Sequence, residues 1–258
     1  MSTSCILTLA VALITIATGA AAQTSATTDH PAPMPSVQPG GAVQPVRDTD
    51  IIAHAVFSQL EGRFNGSNSE FRWEGQGWAG TDYDKLWIKS EGTLQGNGTL
   101  DDGQHQFLYS RAITTYFDLQ GGLRSDIDSR PTRNWGALGI QGLAPYFFDL
   151  ELTGYASGEG HLAAKLEASY DLLLTQRLFL QPQVEVNLYS KADPVRMVGA
   201  GFSDIDTGLR LRYEFSRKFA PYLGVVYEGK FGQSASFARR AGESTGDFRF
   251  VFGVRIWL

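Results

Sequence analysis

The sequence predicts an all-β protein: a transmembrane antiparallel β-barrel of about twelve strands, preceded by a disordered N-terminal tail. Three observations carry that expectation. An uncharged apolar run followed by small residues opens the chain, as in an export signal. Apolar and polar residues then alternate with a period of two from Ile52 to Leu258, which is the side-chain period of a strand. The alternating runs reach about 9–11 residues or more, the length that crosses a bilayer at a tilt.

Ile6 to Thr18 is mostly apolar and too short to span a membrane as a helix. Ala20, Ala21 and Ala22 supply the small-residue site, so residues 1–22 read as a signal peptide cleaved before Gln23. No Lys or Arg precedes the apolar core, which leaves the α-amino group as the only positive charge there. Cys5, the single cysteine, lies upstream of that core and would leave with it. A processed chain would then have no disulfide, thiolate metal site or cysteine nucleophile. Residues 23–51 contain Pro31, Pro33, Pro35, Pro39 and Pro45 and too little apolar surface to order themselves, and read as a flexible Pro/Ala/Thr-rich tail. No later run of ~18 apolar residues predicts a membrane helix. With 22 Lys+Arg against 27 Asp+Glu there is no basic stripe for nucleic acid.

Residues 52–258 form the barrel. Phe248, Phe250, Phe252, Val254, Ile256 and Leu258 share one face, with Arg249 and Arg255 on the other. Ile205, Thr207, Leu209, Leu211, Tyr213 and Phe215 alternate in the same way with Asp204, Asp206, Arg210, Arg212 and Glu214. Similar runs place strands at 53–64, 69–79, 84–95, 104–113, 115–125, 134–143, 146–155, 161–171, 176–190, 203–215, 219–229 and 246–258. Asn65-Gly66, Asp102-Gly103 and Gly158-Glu159-Gly160 carry turn chemistry. The segments 192–202 and 232–246 read as longer exposed loops.

Alternation alone does not say which face points inward, since a soluble sandwich or a lipocalin-like barrel alternates too. Strand length and aromatics near strand ends (Tyr146, Tyr170, Tyr189, Tyr213, Phe215, Phe219, Tyr227) favour the inverted arrangement of an outer-membrane barrel. Its apolar face meets lipid. Its charges then fill the lumen, with Asp149, Glu151, Asp204 and Asp206 as acidic lining and Arg210, Arg212, Arg249 and Arg255 as basic lining. Such charges either pair to fill the interior or line a narrow path for a cation.

Several strings are more specific than any periodicity. They are Gln76-Gly-Trp, Leu86-Trp-Ile-Lys-Ser-Glu-Gly, Ala144-Pro-Tyr, and Leu166-Glu-Ala-Ser-Tyr-Asp-Leu-Leu-Leu-Thr-Gln-Arg-Leu-Phe-Leu-Gln-Pro-Gln. Gly201-Phe-Ser-Asp-Ile-Asp-Thr-Gly-Leu-Arg-Leu-Arg-Tyr-Glu, Phe219-Ala-Pro-Tyr-Leu-Gly-Val and Gly253-Val-Arg-Ile-Trp continue the series. Through them the chain resembles the copper resistance protein B family of outer-membrane proteins. The resemblance implies a barrel that supports copper tolerance by binding copper or moving it across the outer membrane, with a periplasmic copper-handling protein as a possible partner. Many members carry a Met- and His-rich segment before the barrel. Here that region offers His30, Met34 and His54 alone.

Copper(I) favours thioether and imidazole ligands, which makes His30, Met34, His54 and Met197 the candidate metal ligands. Their spacing fits no compact metal motif. The bland reading of His30 and Met34 is a polar linker, and of Met197 a loop residue without a role. A lipid-hydrolysing barrel is the competing function class, alongside a general porin. His105 with Ser110 would sit on opposite strand faces, and His161 with Ser169 about 27 Å apart along a strand. No G-x-S-x-G stretch is present, so an enzyme is not expected.

Overall fold

The computed structural model describes residues 50–66 and 68–258. The expected signal peptide and the expected tail up to residue 49 lie outside the described residues, as do His30 and Met34.

The described chain is a closed antiparallel barrel. Its strands are β1 (Ile52–Asn65), β2 (Asn68–Gly80), β3 (Asp84–Gln95), β4 (Leu100–Ala112), β5 (Phe117–Asp126), β6 (Arg133–Ala144) and β7 (Phe148–Ser157). They continue as β8 (Leu162–Tyr170), β9 (Leu172–Thr175), β10 (Leu178–Tyr189), β11 (Gly201–Tyr213), β12 (Phe219–Lys230) and β13 (Gly246–Trp257). Neighbours in sequence are neighbours in space, β13 pairs with β1, and β10 pairs with β11, so no edge is left open. β8 and β9 both pair with β10 and form one stave interrupted at Asp171, which gives twelve staves.

Short turns at one rim alternate with longer connections at the other. In outer-membrane barrels the short turns face the periplasm and the long loops the exterior. The ends of β1 and β13 that pair Val56 with Trp257 therefore lie at the inner rim. The outer rim carries the segments 127–132, 190–200 and 231–245.

Three local expectations need correction. Asp102-Gly103 is not a turn but part of β4: Asp102 takes φ 51, opposite a register slip between Glu91 and Thr93. One aspartate in the left-handed region makes a bulge, and the chain reverses instead at residues 96–99, where the Gly98 N–H donates to the Gln95 carbonyl at 2.8 Å. The segment 232–246 is not plain loop, because Gly232–Ala241 forms a helix, α1. Gly242 ends it at φ 75, its N–H donating to the carbonyls of Ala238 and Arg239. Tyr189, expected in the aromatic girdle, instead lines the lumen near the outer mouth.

The pattern of exposure is inverted relative to a water-soluble protein. Phe248, Phe250, Phe252, Leu223, Leu123, Leu138 and Leu86 each expose more than half of their surface. Glu61, Arg63, Arg124, Lys165, Arg210 and Arg212 are buried. Greasy side chains looking outward are stable only against hydrocarbon. Phe252→Arg is expected to destabilise the barrel by about 2–4 kcal/mol, because the new charge would face the lipid near mid-strand. Denaturant titration of the barrel folded into vesicles measures this, and an unchanged midpoint contradicts the orientation.

Candidate functional site

The lumen is filled, and its charges are organised around Glu61. In β1, Gln59, Glu61 and Arg63 point inward while Leu60, Gly62 and Phe64 point outward, after a bulge between Phe57 and Leu60. Glu61 Oε1 accepts from Arg63 Nε at 2.8 Å and Arg210 Nη2 at 2.9 Å. Its Oε2 accepts from Arg210 Nε at 3.0 Å and the Tyr222 hydroxyl at 3.0 Å. Arg63 continues across the lumen to Asp206 at 2.8 Å and to Glu228. Arg249 joins Glu228 at 3.4 Å and also pairs with Glu70.

The register of the sheet adds an order that pairing alone does not reveal. Glu151 stands opposite Glu167, Glu167 opposite Glu185, and Glu185 opposite Asp206. Asp206 stands opposite Glu228, and Glu228 opposite Asp247. Six neighbouring staves thus contribute one carboxylate each to a single cross-strand row. With about 4.8 Å between strands the row is roughly 24 Å long. It starts near the inner end of β7 and finishes at the outer end of β13. Cations from other staves meet it: Lys89 reaches Glu151 at 2.7 Å, Arg72 reaches Glu185 at 3.3 Å, and Arg63 meets Asp206. Lys165 lies 3.5 Å from Glu185 and also binds Glu91 at 2.8 Å.

Free space remains above and below this network. An inner chamber of about 270 Å³ is lined by Glu74, Gln106, Asp149, Glu151, Glu167 and Arg255 among others. A smaller outer vestibule lies beside Asp102, Asp126, Trp135, His161 and Tyr189. Leu108, Trp135, Ala137 and Tyr155 pack as an apolar cluster inside the barrel, Trp135 also lining the vestibule, with the Arg124 guanidinium 4.5 Å from the Tyr155 ring centroid.

The outer mouth is crossed by two tied loops. Arg196 of segment 190–200 donates to Asp128 at 3.0 Å and to the Pro131 carbonyl at 2.6 Å. Arg133 returns the tie to Asp193 at 2.7 Å. α1 supports the loop from behind: the Ser234 hydroxyl accepts from the Gly199 N–H at 2.7 Å, and Gln233 accepts from the Ala200 N–H at 3.2 Å. Burial raises the Asp193 pKa, but Arg133 and the backbone N–H groups of Arg196 and Val195 outweigh it and hold the carboxyl below its ordinary value of 3.8.

The sequence-predicted residues are distributed as follows. Glu151, Asp206, Arg210, Arg212, Arg249 and Arg255 face the lumen; Arg212 pairs with Asp171 at 2.7 Å and Arg255 stacks over Trp257. Asp149 lines the inner chamber without an ion pair among the described residues. Asp204 accepts from the Asn187 amide at 2.8 Å. His54 lies within the expected strand 53–64 as the third residue of β1, at the inner rim, its ring 5.3 Å from that of Trp257. Met197 lies in the outer loop at φ 57. The structure therefore keeps His54 and Met197 at opposite ends of the barrel.

His105 pairs with Ser90 on the outward face at 3.1 Å, while Ser110 points inward and donates to Asp118 at 3.2 Å. No carboxylate bonds to His105 among the described residues. Sequence reasoning missed Glu61, Arg63, Glu70 and Asp126. The Gln59/Glu61/Arg63 alternation is a usable signal, masked by the one-residue slip at the bulge, which flips the faces of the strand.

Two predictions follow from these contacts. Glu61→Ala leaves the buried Arg210 guanidinium without a carboxylate and takes one of three from Arg63, and is expected to cost about 3–5 kcal/mol, read as a lower denaturant midpoint in vesicles. The Asp193 tie contributes while that carboxyl is ionised and is lost as pH falls through its lowered pKa, because a depressed pKa stabilises the closed loop only above it. Single-channel conductance is therefore expected to step up below pH 3.8, and Arg196→Ala to raise it already at neutral pH. Identical traces for wild type and variant contradict a tied mouth.

The family model described as Copper resistance protein B precursor matches residues 51–258. "Copper resistance protein B" of Escherichia coli is 41% identical over 213 residues, covering 83% of this chain and 72% of that protein. A "Copper resistance protein B homolog" of Pseudomonas syringae pv. tomato (strain ATCC BAA-871 / DC3000) is 39% identical over the same shares. Among solved structures, the NanC porin superposes with a TM-score of 0.50 at 11% identity, covering 80% of this chain and all of that one. The KdgM porin complex gives a TM-score of 0.46 at 10% identity, covering 80% of this chain and 98% of that one. The NanC likeness shows the fold, that of an outer-membrane barrel, and the long sequence matches show the lineage. This chain belongs to the copper resistance protein B family of outer-membrane proteins.

Proposed function

We propose that the protein supports copper resistance by moving copper across the outer membrane through its lumen, as a non-enzymatic path and not as a storage site. The cross-strand row from Glu151 to Asp247 carries this reading. Conduction needs binding that is favourable enough for entry but weak and repeated enough for exit. A line of carboxylates, several already shared with Lys or Arg, meets that need: an incoming cation competes with a side-chain cation at each step. A tight cage would hold the metal, and no three His, Cys, Asp or Glu side chains among the described residues converge to form one. The ionic network and the apolar cluster also leave too little open lumen for a general porin. A periplasmic copper-handling partner would receive or supply metal at the inner mouth, beside His54.

Cells lacking the gene are expected to lose copper tolerance while keeping detergent tolerance, and the wild-type gene to restore it. The Glu167→Gln/Asp247→Asn double variant spares the closest ion pairs of the row. It is expected to reach the outer membrane folded, by its heat-modifiable migration, yet to restore less than half of the tolerance. Full restoration by the variant, or large unselective currents from the purified barrel, contradicts the path.

A further inference from the structure

Glu74 and Glu167 differ from the other lumen carboxylates. Glu91 and Glu151 each bind an ammonium group, at 2.8 and 2.7 Å. Glu74 instead accepts from the Ser58 hydroxyl at 2.6 Å and has no ion pair among the described residues. Glu167 accepts from the Gln183 amide at 2.9 Å, and its nearest ammonium, that of Lys165, stands off at 3.9 Å. Both line the inner chamber, together with Gln106, which is only 3% exposed and whose amide oxygen is buried without a partner. Two under-neutralised carboxylates and an orphaned carbonyl oxygen around one space call for a positive, oxygen-seeking guest.

We propose that the inner chamber between Glu74 and Glu167 is the resting site of the cargo, and that the cargo is copper(II) carried as a partly hydrated, oxygen-ligated ion. This rests on the lumen being the copper path. Copper(I) is soft and takes thioether, thiolate or imidazole ligands, whereas copper(II) also takes carboxylate, amide oxygen and water. Most donors along the path belong to the second set. Carboxylates line its length, while the imidazoles of His54 at the inner rim and His161 in the outer vestibule suit either ion. Met197 is the only methionine among the described residues and lies on the outer loop, away from the chamber. The carboxylates do not converge closely enough to strip the ion. A space of about 270 Å³ holds on the order of nine waters at about 30 Å³ each, which leaves room for a hydration shell between the two glutamates.

The test uses the full-length chain in proteoliposomes with a copper reporter inside. Copper(II) sulfate and copper(I), kept reduced by ascorbate and acetonitrile, are presented outside in separate runs. Copper(II) is expected to enter at least tenfold faster than copper(I). Glu74→Gln/Glu167→Gln is expected to slow copper(II) at least fivefold, while Glu74→Asp/Glu167→Asp, which keeps both charges, retains most of the rate. Heat-modifiable migration shows that each variant is folded. Copper(I) entering as fast as copper(II), or faster, overturns the assignment of the cargo and leaves the path standing. Neither ion entering above protein-free vesicles overturns the path itself. Copper(II) entry that is indifferent to the Gln pair overturns the chamber as its resting site.

Discussion

Glu61 is the residue on which the interior depends. Its two carboxylate oxygens accept four donors from Arg63, Arg210 and Tyr222, drawn from β1, β11 and β12. An isolated charge in such a place carries a desolvation cost of several kcal/mol. The cost is offset because both guanidiniums are themselves bonded onward, Arg63 to Asp206 and Arg210 to Gln59 and Gln183. The network is therefore cooperative. It replaces the apolar core that a soluble barrel would use, and it draws distant staves together across the lumen.

The same constraint shapes what the lumen can do. A charge-filled interior blocks bulk flow, and the apolar cluster around Trp135 narrows it further. What remains is a row of carboxylates that starts at the inner chamber with Glu151 and Glu167 and ends at the outer end of β13, in a barrel whose mouth is crossed by the tied segments 127–132 and 190–200. In the proposed path a small cation exchanges places with a lysine or arginine along that row. A sugar-sized solute would have to break the whole network. Structural filling and the proposed selective passage would both follow from this one arrangement.

Much of this was legible in the sequence, for a physical reason. In a membrane barrel each strand presents one face to lipid and one to the lumen, so a period of two survives wherever pairing is regular. The β3 range 84–95 was recovered residue for residue, and most others lie within a residue or two. The failures fall where pairing is irregular. The bulge in β1 broke the alternation and hid Glu61 and Arg63, and the bulge at Asp102 mimicked a turn. α1 went unseen because ten residues of helix on a rim leave a weak period. The carboxylate row was out of reach for a different reason. Its members are adjacent only through the register of six staves, which no single run encodes.

Side-chain direction decides between a filled lumen and a greasy interior, and it is most directly read in β13. The described residues contain no cysteine, so single cysteines can be placed at positions 247 to 252 and spin-labelled in vesicles. Labels at 248, 250 and 252 are predicted to collide freely with dissolved oxygen and little with a water-soluble nickel chelate. Those at 247, 249 and 251 are predicted to show weak oxygen contact. The opposite alternation, with oxygen favouring the 247, 249 and 251 set, would contradict the lumen and everything assigned to it.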